Sequence, residues 1–268
     1  MVKGLYTAWT GMVNEQKRLD VLANNLANAD TTGYKKEGTV AQSFDNKLAL
    51  KIKDTSYANG YAVQRLGGVT LGVKIGETYT DWSQGSFEIT DNDTDLAIAG
   101  KGFFAISFTD ANGNQSIKYT RDGGFVVDRE GYLRTTDGDY VLNMQGARNS
   151  QNTVQNRVKV DPLMPFTVDQ QGYIYQDNQQ VGQVGLVDFE NYDYISKYGE
   201  NLYDLVDGGA IIDATGQIEQ GCLESSNVNV VDEMVDMIAI ARAYEAGQKV
   251  IQTEDTELGQ AVQTVGRV

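Results

Sequence analysis

The chain has 268 residues and not one histidine. That removes the commonest general base, the usual proton shuttle and the commonest metal ligand. Its single cysteine, Cys222, cannot form an internal disulfide or build a zinc site, and reads as a small residue at a domain edge. Prolines are confined to Pro162 and Pro165, in one loop. Positive charge is scarce as well: 22 Lys and Arg stand against 37 Asp and Glu, a formal net charge of −15. Such a surface repels nucleic-acid phosphates and anionic lipid, and no basic patch in the sequence overrides it. No apolar run approaches the roughly 20 residues of a membrane helix, so stable membrane insertion is not expected. The opening residues, Met1 to Thr7, lack the apolar core of a secretory signal. The expectation is a soluble, uncleaved chain that leaves the cytoplasm, if it does, without a cleaved signal.

Catalytic and cofactor signals are equally thin. Asp91-Asn92-Asp93-Thr94-Asp95 imitates the start of a calcium loop. Leu96 stands where that loop needs Gly, however, and Gly102 where it needs Glu. The segment therefore reads as a tight polar turn. Gly100-Lys101-Gly102 lacks the spacing of a phosphate loop and is followed by Phe103-Phe104, so it reads as a strand-entry turn. Carboxylates are abundant, but nothing selects a pair, and no Ser or Cys nucleophile motif accompanies them. The chain reads as a non-enzyme with no cofactor and no metal site.

What is present is apolar periodicity at the two ends. Leu5, Ala8, Met12, Leu19, Leu22 and Leu26 follow an alternating three-and-four spacing broken only by Glu15. Val230, Met234, Met237, Ala241, Tyr244, Ile251, Leu258, Val262 and Val265 repeat it, with Gln248 and Asp255 as polar interruptions. This is the seam of a helix that packs on another helix. The first helix is expected from about Leu5 to Asn28, stopped by Asn28-Ala29-Asp30-Thr31-Thr32-Gly33. The second is expected from near Asn229, capped by Asn227 or Asn229, with Asp232 and Glu233 at the positive end of its dipole. Ile238, Ala239, Ile240 and Ala243 lie off the main seam, so its apolar arc is wider than one partner requires.

The middle has strand character. Ser86–Thr90, Phe103–Phe108 and Ile117–Thr120 are short aromatic and β-branched runs, separated by Asn112-Gly113, Asp122-Gly123-Gly124 and Asp137-Gly138. Phe125–Leu133 echoes Phe166–Ile174, each a strand, an Asp-x-x-Gly turn and a second strand, and this predicts two similar hairpins in one sheet. The fold class is therefore α+β: N- and C-terminal helices paired as a coiled-coil-like domain (1–33 and 228–268), an extended connector (34–75), and a central antiparallel all-β domain of sandwich or barrel type (76–227).

Leu5-Tyr6-Thr7-Ala8, Gly11-Met12 and Leu19 through Asn28 followed by Thr31-Thr32-Gly33-Tyr34-Lys35 resemble the N-terminal signature of the flagellar hook and basal-body axial family, in its rod branch. Gly221 through Asn229 and Glu233 through Glu245 resemble its C-terminal signature. Asp95 through Phe104 and Tyr119 through Gly123 resemble its β-domain strings. Asp91 departs from the pattern, since the family often has Gly after Thr90. The resemblance implies a helical inner layer built from both termini, an outer β domain, export through the flagellar type III apparatus, and polymerisation into a helical homopolymer that contacts other rod and hook axial proteins. It also implies a role: part of the drive shaft between motor and hook. The length fits the distal rod and its proximal relative equally, and lacks the extra domain of a hook subunit. The assembly residues it points to are Leu5, Met12, Leu19, Leu22, Asn24, Asn25, Leu26, Asn28, Val230, Met234, Met237, Ala241, Tyr244, Ile251 and Leu258. The competing readings are a hook-type subunit and a non-flagellar β-domain binding module dimerised by its helical ends.

Overall fold

The computed structural model describes residues 2–54, 62–110, 113–148 and 154–265. The chain starts with α1 (Val2–Ala27) and four strands: β1 (Glu37–Ser43), β2 (Lys47–Asp54), β3 (Ala62–Val69) and β4 (Val73–Thr80). Next come β5 (Phe87–Ile89), β6 (Leu96–Ala99), β7 (Phe103–Thr109), β8 (Gln115–Thr120), β9 (Phe125–Val127), β10 (Leu133–Thr135) and β11 (Tyr140–Val141). A short α2 (Met144–Arg148) precedes β12 (Thr167–Val168), β13 (Tyr173–Gln176), β14 (Gln179–Gln183), β15 (Leu186–Phe189) and β16 (Ile195–Gly199). The chain continues through β17 (Leu202–Leu205), β18 (Ile211–Asp213), β19 (Gln217–Gln220) and β20 (Cys222–Glu224) to α3 (Val230–Val265). No helix among the described residues is long and apolar enough to cross a membrane.

Two compact units divide this chain. One comprises Met1–Ala27, Lys36–Asp81 and Asn229–Val268; the other comprises Asn28–Lys35 and Trp82–Val228. In the first, α1 packs on α3 and on β1 and β4. The stretch read as an extended connector carries two antiparallel pairs, β1 with β4 and β2 with β3; residues 55–61 of that stretch lie outside the described residues. The 36 residues of α3 make a rod of about 54 Å at ~1.5 Å per residue. Asn229 caps it: the Val231 N–H donates to Asn229 Oδ1 at 3.1 Å, and Asp232 and Glu233 occupy the first turn.

The second unit is antiparallel throughout its named strand pairs. Its main sheet runs β16-β17-β8-β7-β11-β10-β9, with β15 joining β7 to β18. At its centre, β7 buries every residue from Phe103 to Ser107. Phe104 faces a core with Leu96, Phe125, Leu133 and Ile218, while Phe103 and Ala105 face another with Tyr119, Leu142, Val187 and Tyr203. A strand covered on both faces reads as a continuous apolar run, which is why Phe103–Phe108 lacks strict alternation.

The two echoed hairpins match bond for bond. Gly131 N donates to Asp128 O, and Gly172 N to Asp169 O, both at 2.8 Å; the two glycines have φ of 87° and 83°. They do not share a sheet, however. β9 and β10 belong to the large sheet, whereas β12 and β13 form a three-stranded sheet with β14. The local turn chemistry is the same, down to the N–H of Val160 and of Val184 donating to the two glycine carbonyls; the further strand that each second strand finds differs, β11 for β10 and β14 for β13.

Candidate assembly surface and buried ion cluster

In the first unit the two helices are antiparallel. Asn25, near the end of α1, meets Glu233, near the start of α3. Met12 lies over Gly247, where an added Cβ would fall 2.7 Å from Met12 Cγ. The inward residues of α3 are Val230, Glu233, Met237, Ile240, Ala241, Gly247, Ile251, Glu254 and Ala261. The predicted seam shares Val230, Met237, Ala241 and Ile251 with this set but takes Met234 for Glu233 and does not include Ile240. Met234 is 48% exposed, while Glu233 is 1% exposed. Tyr244 and Leu258 are also exposed, and Ala241 is half-buried. An apolar pattern misses this rotation because it counts a glutamate as outward, whereas a paired carboxylate can be buried.

On α1, Leu22 and Asn25 are buried, Met12, Leu19 and Leu26 are half-buried, and Leu5 and Asn24 are exposed; Asn28, in the second unit, is half-buried. Leu22 and Asn25 are therefore covered within the single chain rather than presented to a neighbour. Asn25 has a definite task. Its Nδ2 donates to Glu37 O (2.9 Å) and to Glu233 Oε2 (3.2 Å), and its Oδ1 accepts from Glu37 N (3.0 Å). It thus satisfies both backbone groups at the start of β1 and half of a buried carboxylate. Lys36 forms an ion pair with the other oxygen of Glu233. The hydrogen bond to Glu233 holds the Lys36 ammonium above the ordinary lysine value, against the opposing effect of burial.

The outer side of α3 is apolar. Val231, Met234, Val235 and Ile238 are all exposed at spacings i, i+3, i+4 and i+7. That spacing puts them on one face. On α1, Leu5, Tyr6 and Trp9 are exposed, with the Tyr6 and Trp9 rings 5.8 Å apart. Contiguous exposed apolar surface of this kind marks an interaction site.

The second unit holds a buried ion cluster that apolar patterning did not reveal. Lys35 Nζ donates to Glu224 Oε1 at 2.6 Å and to Ser83 O at 2.7 Å. Arg121 Nη1 donates to Glu224 Oε2 at 3.0 Å, and its Nη2 to Gly100 O at 2.7 Å. Gly85 N adds a third donor to Glu224 Oε1 at 3.0 Å. One anion therefore organises two cations. Beside it, Gly33 takes φ 65° and donates its N–H to Glu224 O at 2.7 Å. A Cβ there would fall 2.5 Å from the Arg121 carbonyl carbon, so glycine is required twice over. Thr32 Oγ1 donates to Asp122 Oδ1 at 2.7 Å. Three strings that are remote in sequence, Thr31–Lys35, Tyr119–Gly123 and Gly221–Ser226, meet at this cluster. The available signal was a Lys, an Arg, an Asp and a Glu inside strings of otherwise uncharged residues.

Comparison with known proteins separates the readings. Residues 5–35 match the family described as flagella basal body rod protein, 97–178 match the flagellar hook protein FlgE/F/G D1 domain, and 219–264 match the flagellar basal body rod FlgEFG protein C-terminal. A flagellar basal-body rod protein FlgG of Bacillus subtilis is 34% identical, over 98% of this chain and 98% of its own. The chain belongs to the flagellar basal-body rod protein family. A FlgG of Buchnera aphidicola is 32% identical over 96% of the chain and 98% of its own, and a FlgF of Caulobacter vibrioides is 33% identical over the full length of both. The rod protein is thus a structural axial protein of the rod and hook type, and the three matched segments contain the three strings that meet at Glu224. Family membership along the whole chain displaces the reading as a non-flagellar binding module.

Proposed function

We propose that this rod protein is a subunit of the flagellar drive shaft, of distal or proximal type, that polymerises with copies of itself and with other rod and hook proteins and transmits torque from motor to hook. Export through the flagellar type III apparatus belongs to the same reading. The observation that carries it is the uncovered apolar face of α3, Val231, Met234, Val235 and Ile238, on a helix whose opposite face is already taken by α1. A helix apolar on two sides is expected to bury the second side against further helices, in coiled-coil-like packing with neighbouring subunits. Rigidity then follows from close packing of many such helices.

Val231→Asp combined with Ile238→Asp tests this. Both side chains are exposed in the single chain, so the melting of the isolated protein is expected to stay unchanged. Incorporation into basal bodies and swimming are expected to be lost. Normal motility with both charges in place would rule out this face as the assembly surface.

A further inference from the structure

The first unit carries the helices expected to drive assembly, but the second unit has a face of its own with unusual chemistry. On the outer side of β9–β11 and the segment that follows, residues alternate. Leu133, Val141, Val158 and Val160 point into the core, and Tyr132, Arg134, Tyr140, Arg157 and Lys159 take the other side. Backbone bridges pair Tyr132 with Lys159 and Arg134 with Tyr140. The cations lie on the rings. The Arg157 guanidinium sits 3.6 Å from the Tyr140 centroid, that of Arg134 sits 4.1 Å from it, and Lys159 Nζ lies 5.1 Å from the Tyr132 centroid. The two tyrosine rings meet edge to face at 5.6 Å.

Among the described residues, Arg134 alone of these cations has a carboxylate, Asp128 at 2.8 Å. Arg157 and Lys159 make no ion pair among the described residues, nor does Arg129 at the hairpin turn, in a chain where acids outnumber bases 37 to 22. The Nε atoms of Arg134 and Arg157 are buried and find no hydrogen-bond partner among the described residues, Arg134 Nη2 donates to the Tyr140 hydroxyl, and a planar guanidinium fork fits a carboxylate. Beside Arg134 a cleft of about 290 Å³ opens, lined by Val126, Arg129, Thr136 and Asp128, the last already paired with Arg134.

We propose that this cation-on-tyrosine face is a carboxylate-binding contact surface for a second copy of the chain. This rests on the reading of the protein as a homopolymer. The partner's chemistry follows from charge. A copy with net charge −15 presents carboxylates over its surface, and a neighbour already held through apolar helices needs only local complementarity to dock here. A nucleic acid or an anionic membrane has no such second attachment and meets the long-range repulsion of the whole molecule.

The test is sedimentation of the full-length protein and its Arg157→Ala/Lys159→Ala variant across a salt series. The variant is expected to self-associate about tenfold more weakly at low salt, with the gap closing as salt rises and screening removes the ion pairs. Its melting is expected to match wild type. Poly-L-glutamate is expected to lower wild-type association at low salt and to leave the variant unaffected. Arg129→Ala, at the turn and away from the stack, is expected to give a smaller loss in the same direction, and it provides the reading if the double variant does not fold. Unchanged association, a loss equal at all salt concentrations, or no competition by poly-L-glutamate would each overturn the proposal. Loss of binding to phosphatidylglycerol vesicles with association intact would overturn it in favour of a lipid surface. If Val231→Asp abolishes association while Arg157→Ala/Lys159→Ala does not, this inference fails and the homopolymer stands. If wild type stays monomeric throughout, both fail.

Discussion

Lys35 and Glu224 are 189 positions apart in the chain and 2.6 Å apart in the fold, with side chains 1% and 0% exposed. Their pairing closes the β unit. It ties the segment after α1 to the last strand before α3, so the two ends of the unit are fastened at one buried carboxylate. Arg121, from the middle of the sequence, is held by the same anion.

The three charges are not equivalent, and two substitutions separate them. Glu224→Gln leaves two cations buried without their anion, so it is expected to destabilise the β unit by about 3–5 kcal/mol, the usual cost of breaking a buried pair from one side. Lys35→Met removes one cation and leaves Glu224 with Arg121 and Gly85 N, so it is expected to cost clearly less. Denaturant unfolding of both variants checks the order. Equal losses would mean that Glu224 does not organise the cluster.

Asp122 supplies a pH dependence. Burial pushes its carboxyl above the ordinary value of 3.8, only partly opposed by hydrogen bonds from Thr32 and Gly124. A raised folded-state value means that the folded protein holds this proton more tightly than the unfolded chain does. The group's contribution to stability is full below 3.8 and is lost as pH rises through its folded-state value. Asp122→Asn removes a titrating group but keeps an oxygen for Thr32. The stability difference between wild type and variant is expected to shift against wild type as pH rises through that window, and to be flat at higher pH. Unfolding free energies at a series of pH values from acid to neutral provide the check.

Asp91, in the turn between β5 and β6, takes φ 55°. That left-handed backbone suits Gly and strains a residue with a Cβ. Asp91→Gly is therefore expected to be neutral or to stabilise by up to about 1 kcal/mol, the strain relieved being offset in part by the added freedom of the unfolded chain. A melting temperature lowered by several degrees would show that the Asp91 side chain itself contributes to the turn.

Net charge governs assembly as a whole. Packing copies that each carry −15 brings like charges together, and the screening length falls from roughly 30 Å at 0.01 M salt to roughly 3 Å at 1 M. Apolar burial is not weakened by salt in that way. Light scattering by purified wild-type protein is expected to rise with salt. A steady fall would mean that charge pairs, not apolar helices, dominate the contacts.

The existence of the two terminal helices, the cap at Asn229, the strands at Phe103–Phe108 and Ile117–Thr120 and the absence of any histidine chemistry are matters of local pattern. Helical periodicity, capping groups and β-branched runs act over a few residues, so the chain itself determines them. The family strings were legible for the same reason. What only the tertiary structure decided is which side of each pattern faces inward, and which distant groups meet. Glu233 rather than Met234 is buried because Lys36 and Asn25 lie opposite it. Asn25 is covered because the start of β1 needs its amide. Lys35, Arg121 and Glu224 are buried because each supplies what the others lack. A charged side chain enters a protein interior only when its partner is already in place, and that partner lies far off in sequence, beyond the reach of any local rule.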